Sequence, residues 1–316
     1  MTYLERILAR PTGLPFQLQR QHLVGLAFVG SHSHGTYVPP ADPDAIDDVD
    51  FMGVVIPPKE LLLGLQDFEH WTDRWDELDV VLYGFQKFVR LLSNGNPNVL
   101  GLLWLREQDY LLKAPAFETL IANREVFNSL RVYEAFGGYA AGQLHKMTSF
   151  TPAIQQEIDA LTADLAKAGW PMQDIMDGRS LPMPKGIDVP EANIKAQRLK
   201  HLRAKFHSAY MGEKRKRLVL KHGYDTKNAA HLVRLLTMCV EFLKEGVLHV
   251  HRTTDADALK SIKAGNWPLD AVKEHATELA AIATTLAATS TLPKDSPRDR
   301  INTLVAETIW THLHAQ

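Results

Sequence analysis

Cysteine is nearly absent: one, Cys239, in 316 residues. A lone thiol cannot close an intramolecular disulfide, so a disulfide-stapled scaffold is excluded and a reducing compartment is expected. Its neighbours, Leu236-Thr237-Met238-Cys239-Val240, make it read as a small buried hydrophobe rather than a catalytic thiol. No run approaches the roughly 18 apolar residues a membrane helix needs. Met1-Thr2-Tyr3-Leu4-Glu5-Arg6 lacks the apolar core of a signal peptide. A cytoplasmic protein with no membrane partner is the expectation. The net charge of −2 carries no global signal for nucleic acid, so any such signal must be local. There is no Gly-x-x-x-x-Gly-Lys-Ser/Thr loop and no Gly-x-Ser-x-Gly elbow. Asp47-Asp48-x-Asp50 lacks the other ligands of an EF-hand. The pairs His32/His34 and His249/His251 have no further ligands at zinc spacing.

What is present begins with Ala27-Phe28-Val29-Gly30-Ser31. A short apolar strand running into Gly-Ser predicts a tight turn. Such a turn can aim successive backbone N–H groups at one phosphate. The second strand-like run carries Asp48 and Asp50. Residues two apart in a strand share a face, so both carboxylates point the same way. They repel unless a cation lies between them, and Mg²⁺ takes such hard oxygen ligands while keeping positions for phosphates. Asp79 is the lone carboxylate in Leu78-Asp79-Val80-Val81-Leu82. A carboxylate there is costly without a partner, and a shared metal would provide one. A phosphate cradle beside carboxylates points to metal-dependent phosphoryl or nucleotidyl transfer. His32 and His34, inside the loop, suit substrate contact better than metal ligation.

A composition of 45% hydrophobic and 23% charged residues is that of a soluble globular protein, and the length fits one large domain or two ordinary ones. Strands are expected at 25–29, at 49–56 and in a hairpin within 66–83 that holds Trp71 and Trp75. Both tryptophans read as core or surface aromatics rather than base-stacking groups. Residues 1–24 suggest a helix, a Pro/Gly break at Pro11 to Pro15 and an approach to the first strand; further helices are expected at 59–64, 84–94 and 99–105. Beyond about residue 110 strand signals mostly vanish. Helices then read over 134–147, 151–167, 194–210, 226–244, 269–288 and 297–314, with 171–191 a long loop. Asp225 is a plausible N-cap, Ser296-Pro297 another cap, and Gly246 a C-terminal glycine. Strands followed by helices, rather than alternating with them, predict an α+β fold. The expected division is a small mixed-sheet palm at 1–125 followed by a mainly helical domain at 126–316.

Two cationic features stand out. Between 194 and 221 lie Lys195, Arg198, Lys200, Arg203, Lys205, Lys214, Arg215, Lys216, Arg217 and Lys221, with Glu213 the sole acid. Such a run suits nucleotide phosphates or RNA, Lys214 to Arg217 and Lys221 above all; a solvated helix face is the alternative. Lys227, His231 and Arg234 fall at i, i+4 and i+7 on a helix opened by Asp225 and Thr226. A cationic stripe near a helix N-terminus is an anion site from side-chain charge and free N–H groups together.

Gly30-Ser31-His32-Ser33-His34-Gly35-Thr36, Asp48-Val49-Asp50-Phe51-Met52-Gly53-Val54, Pro57-Pro58, Asn96-Pro97-Asn98, and Tyr224-Asp225-Thr226-Lys227 with His231 and Arg234 together resemble the RlaP-type nucleotidyltransferases. These belong to the DNA polymerase β superfamily and RNA-repair contexts. The connection from Ser31 to Asp48, with Asp42, Asp44 and Asp47, is longer than that superfamily usually has. The resemblance implies transfer of an NMP from an NTP to an acceptor hydroxyl, with pyrophosphate leaving. It implies two Mg²⁺ ions on Asp48, Asp50 and Asp79, and nucleotide contacts at Gly30, Ser31, His34, Lys227, His231 and Arg234. The implied acceptor is an RNA end, with tRNA one candidate. The alternatives are nucleotidylation of a protein or small molecule, and a non-catalytic antitoxin-like binding module.

Overall fold

The computed structural model describes residues 1–10, 13–39, 48–170, 190–206 and 213–315. In chain order the elements are α1 (Tyr3–Ala9), β1 (Leu23–Phe28), α2 (Gly30–Ser33), β2 (Val49–Val55), α3 (Lys59–Leu63), β3 (His70–Trp75), β4 (Leu78–Gly84), α4 (Phe85–Ser93) and α5 (Pro97–Leu100). There follow β5 (Tyr110–Lys113), α6 (Pro115–Ala122), α7 (Arg131–Ser149), α8 (Pro152–Lys167), α9 (Pro190–Phe206) and α10 (Glu213–His222). The last are α11 (Thr226–Glu245), α12 (Ala256–Lys263), α13 (Leu269–Thr289) and α14 (Arg298–His314). The fold is α+β, with the strands early and helices dominating thereafter. Among the described residues no helix is long and apolar enough to cross a membrane.

The five strands form one mixed sheet in the order β3-β4-β2-β1-β5. β2 and β4 run parallel, and the other pairs are antiparallel. Alternation sorts the side chains into two faces. Val49, Phe51, Val55, Leu78, Val80 and Leu82 are buried on one face with Ile7 of α1. Met52 and Val54 are buried on the other, in a cluster that also takes in Phe136 of α7 and the apolar side of α11. This cluster runs without a break from Val24 in β1 to Ile301 in α14. A separate cluster joins Ile158 and Leu165 of α8 to Leu199 and Leu202 of α9 and Val219 of α10.

Asp225 caps α11 as its position suggests: its Oδ1 accepts from the Asn228 N–H at 3.1 Å. Gly246 closes that helix at φ 68°, a left-handed conformation that glycine adopts at little cost. Cys239 is buried on α11, and burial pushes its thiol pKa up to about 12. The lone thiol is therefore inert packing, as its apolar neighbours imply.

Some expectations needed correction. Gly30–Ser33 is a short helical turn rather than a simple tight turn. The helix expected over 99–105 starts at Pro97, because Asn96 caps it and Pro97 fits its first turn, and it tightens at Gly101–Leu103. β5 was missed, being four residues that pair only at the sheet edge. The short helices α6 and α12 were also missed. Ser296 does not cap α14: its hydroxyl is buried and donates to the Phe127 carbonyl at 3.2 Å. The helix expected at 194–210 starts at Pro190, and residues 207–210 lie outside the described residues, as do 171–189 of the expected long loop.

Asp225 is only 2% exposed, and its carboxylate also holds the Arg215 Nε at 2.7 Å and the Asn228 Nδ2 at 3.0 Å. Removing it takes away one bond from Arg215 and two from Asn228 on α11. Asp225→Ala is expected to destabilise the fold by about 2–4 kcal/mol in chemical denaturation.

Candidate active site

The strand register brings the acids together. Asp50 and Asp79 are direct partners across the parallel pair β2–β4, so their side chains stand side by side on the face that carries Met52 and Val54. Asp48 lies two residues before Asp50 and shares that face. All three line a cavity of about 930 Å³, a size suited to a nucleotide-sized ligand.

The Gly30–Thr36 loop sits directly against Asp50. The Val29 N–H donates to the Asp50 carbonyl at 2.9 Å. Gly30 has φ 62°, and a Cβ there would collide with the Asp50 carboxylate. No other residue type fits that position without moving an acid. The far side of the loop is held by the segment after α11. His251 Nδ1–H donates to the Ser33 carbonyl at 3.2 Å, the Arg252 N–H to the His34 carbonyl at 3.1 Å, and Lys263 Nζ to the Thr36 carbonyl at 2.8 Å. His34 Nδ1–H returns a bond to the Val250 carbonyl at 2.9 Å. His251 is itself oriented by Arg106, which bonds its Nε2 at 3.0 Å and grips Asp109 through two nitrogens, each at 2.9 Å. The His249/His251 pair is thus split in role: His251 braces the loop, and His249 pairs with Glu245 on the surface.

The opposite wall is α11. Lys227, His231 and Arg234 all line the cavity with Gly30, Ser31 and His34. Burial first, then nearby Arg252, with Asp255 opposing, lower the Arg234 pKa to about 10, so the guanidinium stays charged at neutral pH. Its Nη1 meets only the Met238 sulfur at 3.3 Å, and its Nε has no hydrogen-bond partner among the described residues. A desolvated cation without a carboxylate calls for an anion. His34 and His231 have pKa values well below the usual, first from burial and then from Arg234. Both are neutral, and with Nδ1–H engaged on Val250, His34 keeps a lone pair on Nε2. The Ser31 hydroxyl is buried in the same region with no partner among the described residues.

Burial raises the Asp79 pKa; Arg74 opposes this, Asp48 adds to it, and Lys227 opposes it. The last influence places Lys227 of α11 within electrostatic reach of the sheet acids. Hard carboxylate oxygens are the donor set Mg²⁺ takes, and one or two carboxylates completed by substrate phosphates suffice, so Asp50 and Asp79 fit such an ion. Among the described residues no three acidic, histidine or cysteine side chains converge as a ready-made metal cage. Asp48 is drawn instead onto Arg74, whose Nη2 lies 2.6 Å from its Oδ1.

All nine residues expected at the acids, the loop and the α11 stripe therefore line one cavity. The basic run does not join them. Arg215 bonds Asp225, Lys216 lies over the Phe150 ring at 5.9 Å, and Arg217 and Lys221 face solvent. The Lys214 side chain, and Asp42, Asp44 and Asp47 of the long connection, fall outside the described residues. Lys195 pairs with Asp164 and Arg198 with Glu157, both on α8. Trp71 and Trp75 pack on the far side of the sheet. Sequence reasoning missed Arg74, Lys263 and the Arg106–His251 brace. Arg74 had a signal: a hairpin with only Asp76-Glu77 between its strands sets Arg74 opposite Asp79. Lys263 had none, since a lysine ending an eight-residue helix looks like any other.

A carboxyl whose pKa is raised in the folded state binds its proton more tightly there than in the unfolded chain. Stability therefore falls as pH rises from the unfolded pKa through the folded one, and ionised Asp79 is a standing cost above it. Asp79→Asn is expected to raise the Tm of metal-free protein at pH 7 to 8. The gain should shrink as pH is lowered toward the ordinary carboxylate range; thermal melts across pH check this.

Residues 17–163 match the model of a family described as RlaP: RNA repair pathway DNA polymerase beta family. A nucleotidyltransferase-like protein from Exiguobacterium sibiricum 255-15 has 11% identity, with 91% of this chain and 72% of its own covered, at a TM-score of 0.25. No curated protein matches the chain. The matched segment contains the whole sheet, the glycine loop and all three sheet acids, so over residues 17–163, a little under half of its length, the chain is similar to the RlaP RNA repair pathway DNA polymerase beta family.

Proposed function

We propose that the protein moves an NMP from an NTP to the hydroxyl of an RNA end, tRNA among the candidates, and releases pyrophosphate. The observation that carries this reading is charge placement in one cavity: Asp50 and Asp79 in register on the sheet, and on the facing helix a buried Arg234 that bonds no carboxylate among the described residues. That arrangement suits a metal-bound polyphosphate. Polymerase β-type nucleotidyltransferases generally use divalent metals.

In this reading residues 1–125 are the catalytic palm and 126–316 the helical part that supplies cations. Two Mg²⁺ ions held by Asp48, Asp50 and Asp79 would neutralise the developing charge and make the acceptor hydroxyl more acidic. The N–H groups after Gly30 and the Ser31 hydroxyl take the β- and γ-phosphates. Lys227 and Arg234 neutralise the phosphates from the α11 side, and desolvation strengthens the Arg234 contribution. His34 and His231, being neutral, act as hydrogen-bonding groups that add no charge. The clamp behind the loop keeps these donors fixed, so catalysis is chiefly positioning and electrostatics. Lys214, Arg217 and Lys221 are the proposed phosphate contacts for a longer RNA, with Arg215 and Lys216 holding α10 in place beside them. A cytoplasmic setting is kept in this reading.

A second reading has one observation in its favour. Lys195, Arg198 and Arg215 spend their charge on Asp164, Glu157 and Asp225, so less of the basic run remains for RNA. This favours a protein or small molecule as acceptor. A non-catalytic antitoxin-like module is the remaining alternative.

Incubation with each labelled NTP, Mg²⁺ and total RNA separates these readings. Label is expected on RNA, with a yield that falls steeply as salt rises. Asp48→Ala, Asp50→Ala and Asp79→Ala should each abolish transfer while the protein stays folded, and Arg234→Met should raise KM for the NTP about 10- to 100-fold. Full activity in all three aspartate variants would sink the enzyme reading. Label on protein or a small molecule would move the acceptor.

A further inference from the structure

Arg74 and Asp79 are partners across β3–β4, and Asp79 and Asp50 across β4–β2. The three residues thus form one row on the cleft face. Neighbouring strands lie about 4.8 Å apart, so β3 and β2 are separated by about 10 Å. Arg74 nevertheless bonds Asp48, on the β2 side, at 2.6 Å. Its side chain must cross over β4 and pass Asp79, which feels its charge. The guanidinium therefore sits against Asp48 and within electrostatic reach of Asp79, beside the carboxylates that would hold a metal ion.

We propose that Arg74 is a positioning residue that stands in for the metal: it holds Asp48 and quiets the acid cluster until a divalent cation displaces it. This rests on the metal reading given above. Arg74 is 61% exposed in its side chain and Asp48 32%. An ion pair so close to solvent is weak enough to be exchanged. A guanidinium satisfies carboxylate oxygens without entering the sheet, so release needs only a side-chain rotation. Metal binding and the Arg74–Asp48 pair then compete for one carboxylate. By linkage, whatever weakens the pair strengthens the metal.

The test is Mn²⁺ affinity of nucleotide-free protein, read by electron paramagnetic resonance of the free ion. Arg74→Gln is expected to bind Mn²⁺ about two- to fivefold tighter than wild type. In an Asp48→Asn background the same change should have a smaller effect, because the competition is for Asp48. Without divalent ions R74Q should melt below wild type, and Mg²⁺ should narrow that gap. Equal Mn²⁺ affinity in wild type and R74Q would overturn the proposal. So would an equal gain with and without Asp48, which would reduce Arg74 to background charge. If neither wild type nor R74Q binds Mn²⁺ at millimolar concentration, the metal reading falls and takes this proposal with it.

Discussion

Two carboxylates face each other across the parallel strands β2 and β4, and much of the surrounding structure answers to that. Unit charges about 5 Å apart at an effective dielectric near 20 repel by roughly 3 kcal/mol, a sizeable part of the net stability of an ordinary domain. Register gives the strands no way to relieve it. Sliding β4 by one residue would send Asp79 to the apolar face and Leu78, Val80 and Leu82 to the cleft. Relief comes from cations: Arg74 from the neighbouring strand β3 and Lys227 from α11 both hold the Asp79 pKa down. The Asp79 pKa stays raised all the same, first because the carboxyl is partly buried and then because Asp48 lies near it. Strain retained at a site is the usual signature of a site kept for chemistry rather than stability.

The glycine loop is constrained from two sides in different ways. On the acid side the constraint is steric, since only glycine tolerates both the left-handed φ and the contact with Asp50 at position 30. On the other side it is polar, with the Ser33, His34 and Thr36 carbonyls each taken by a residue between 251 and 263. Carbonyls turned outward toward these donors are not presented to a bound anion. The clamp therefore orients the loop as well as holding it. It also explains why a chain segment more than 200 residues away in sequence belongs to the site.

The local parts of this arrangement were legible in sequence, and the long-range parts were not. Asp48, Asp50 and Asp79 could be found because strand alternation fixes which residues share a face, and the α11 stripe because helical spacing fixes it. Asp225 and Gly246 followed from cap chemistry. β5 was missed because four residues at a sheet edge carry too little pattern. Ser296 was misread because the Phe127 carbonyl that captures its hydroxyl lies far away in sequence. Lys263 and the Arg106–His251 brace were invisible for the same reason: nothing near them in the chain states what they touch. The basic run is legible in its composition but not in its pairing. Its composition was correct, but acids on α8 and the cap of α11 claim several of its charges, which a local window cannot register.

The last step concerns the distance between the two walls of the cleft. The acids belong to the sheet and the Arg234 cation to α11, and cooperation between them requires a fixed separation. Here one apolar cluster joins Met52 and Val54, on the same sheet face as the acids, to Leu232, Leu236 and Val240 of α11. Close packing makes such a cluster stiff, so the spacing of opposite charges is set by the core itself. Arg234 stays buried beside neutral His34 and His231 because the same packing excludes water. The fixed electrostatics of the cleft are thus inherited from the hydrophobic core. At the exposed rim, where Arg74 meets Asp48, solvent screens the pair instead.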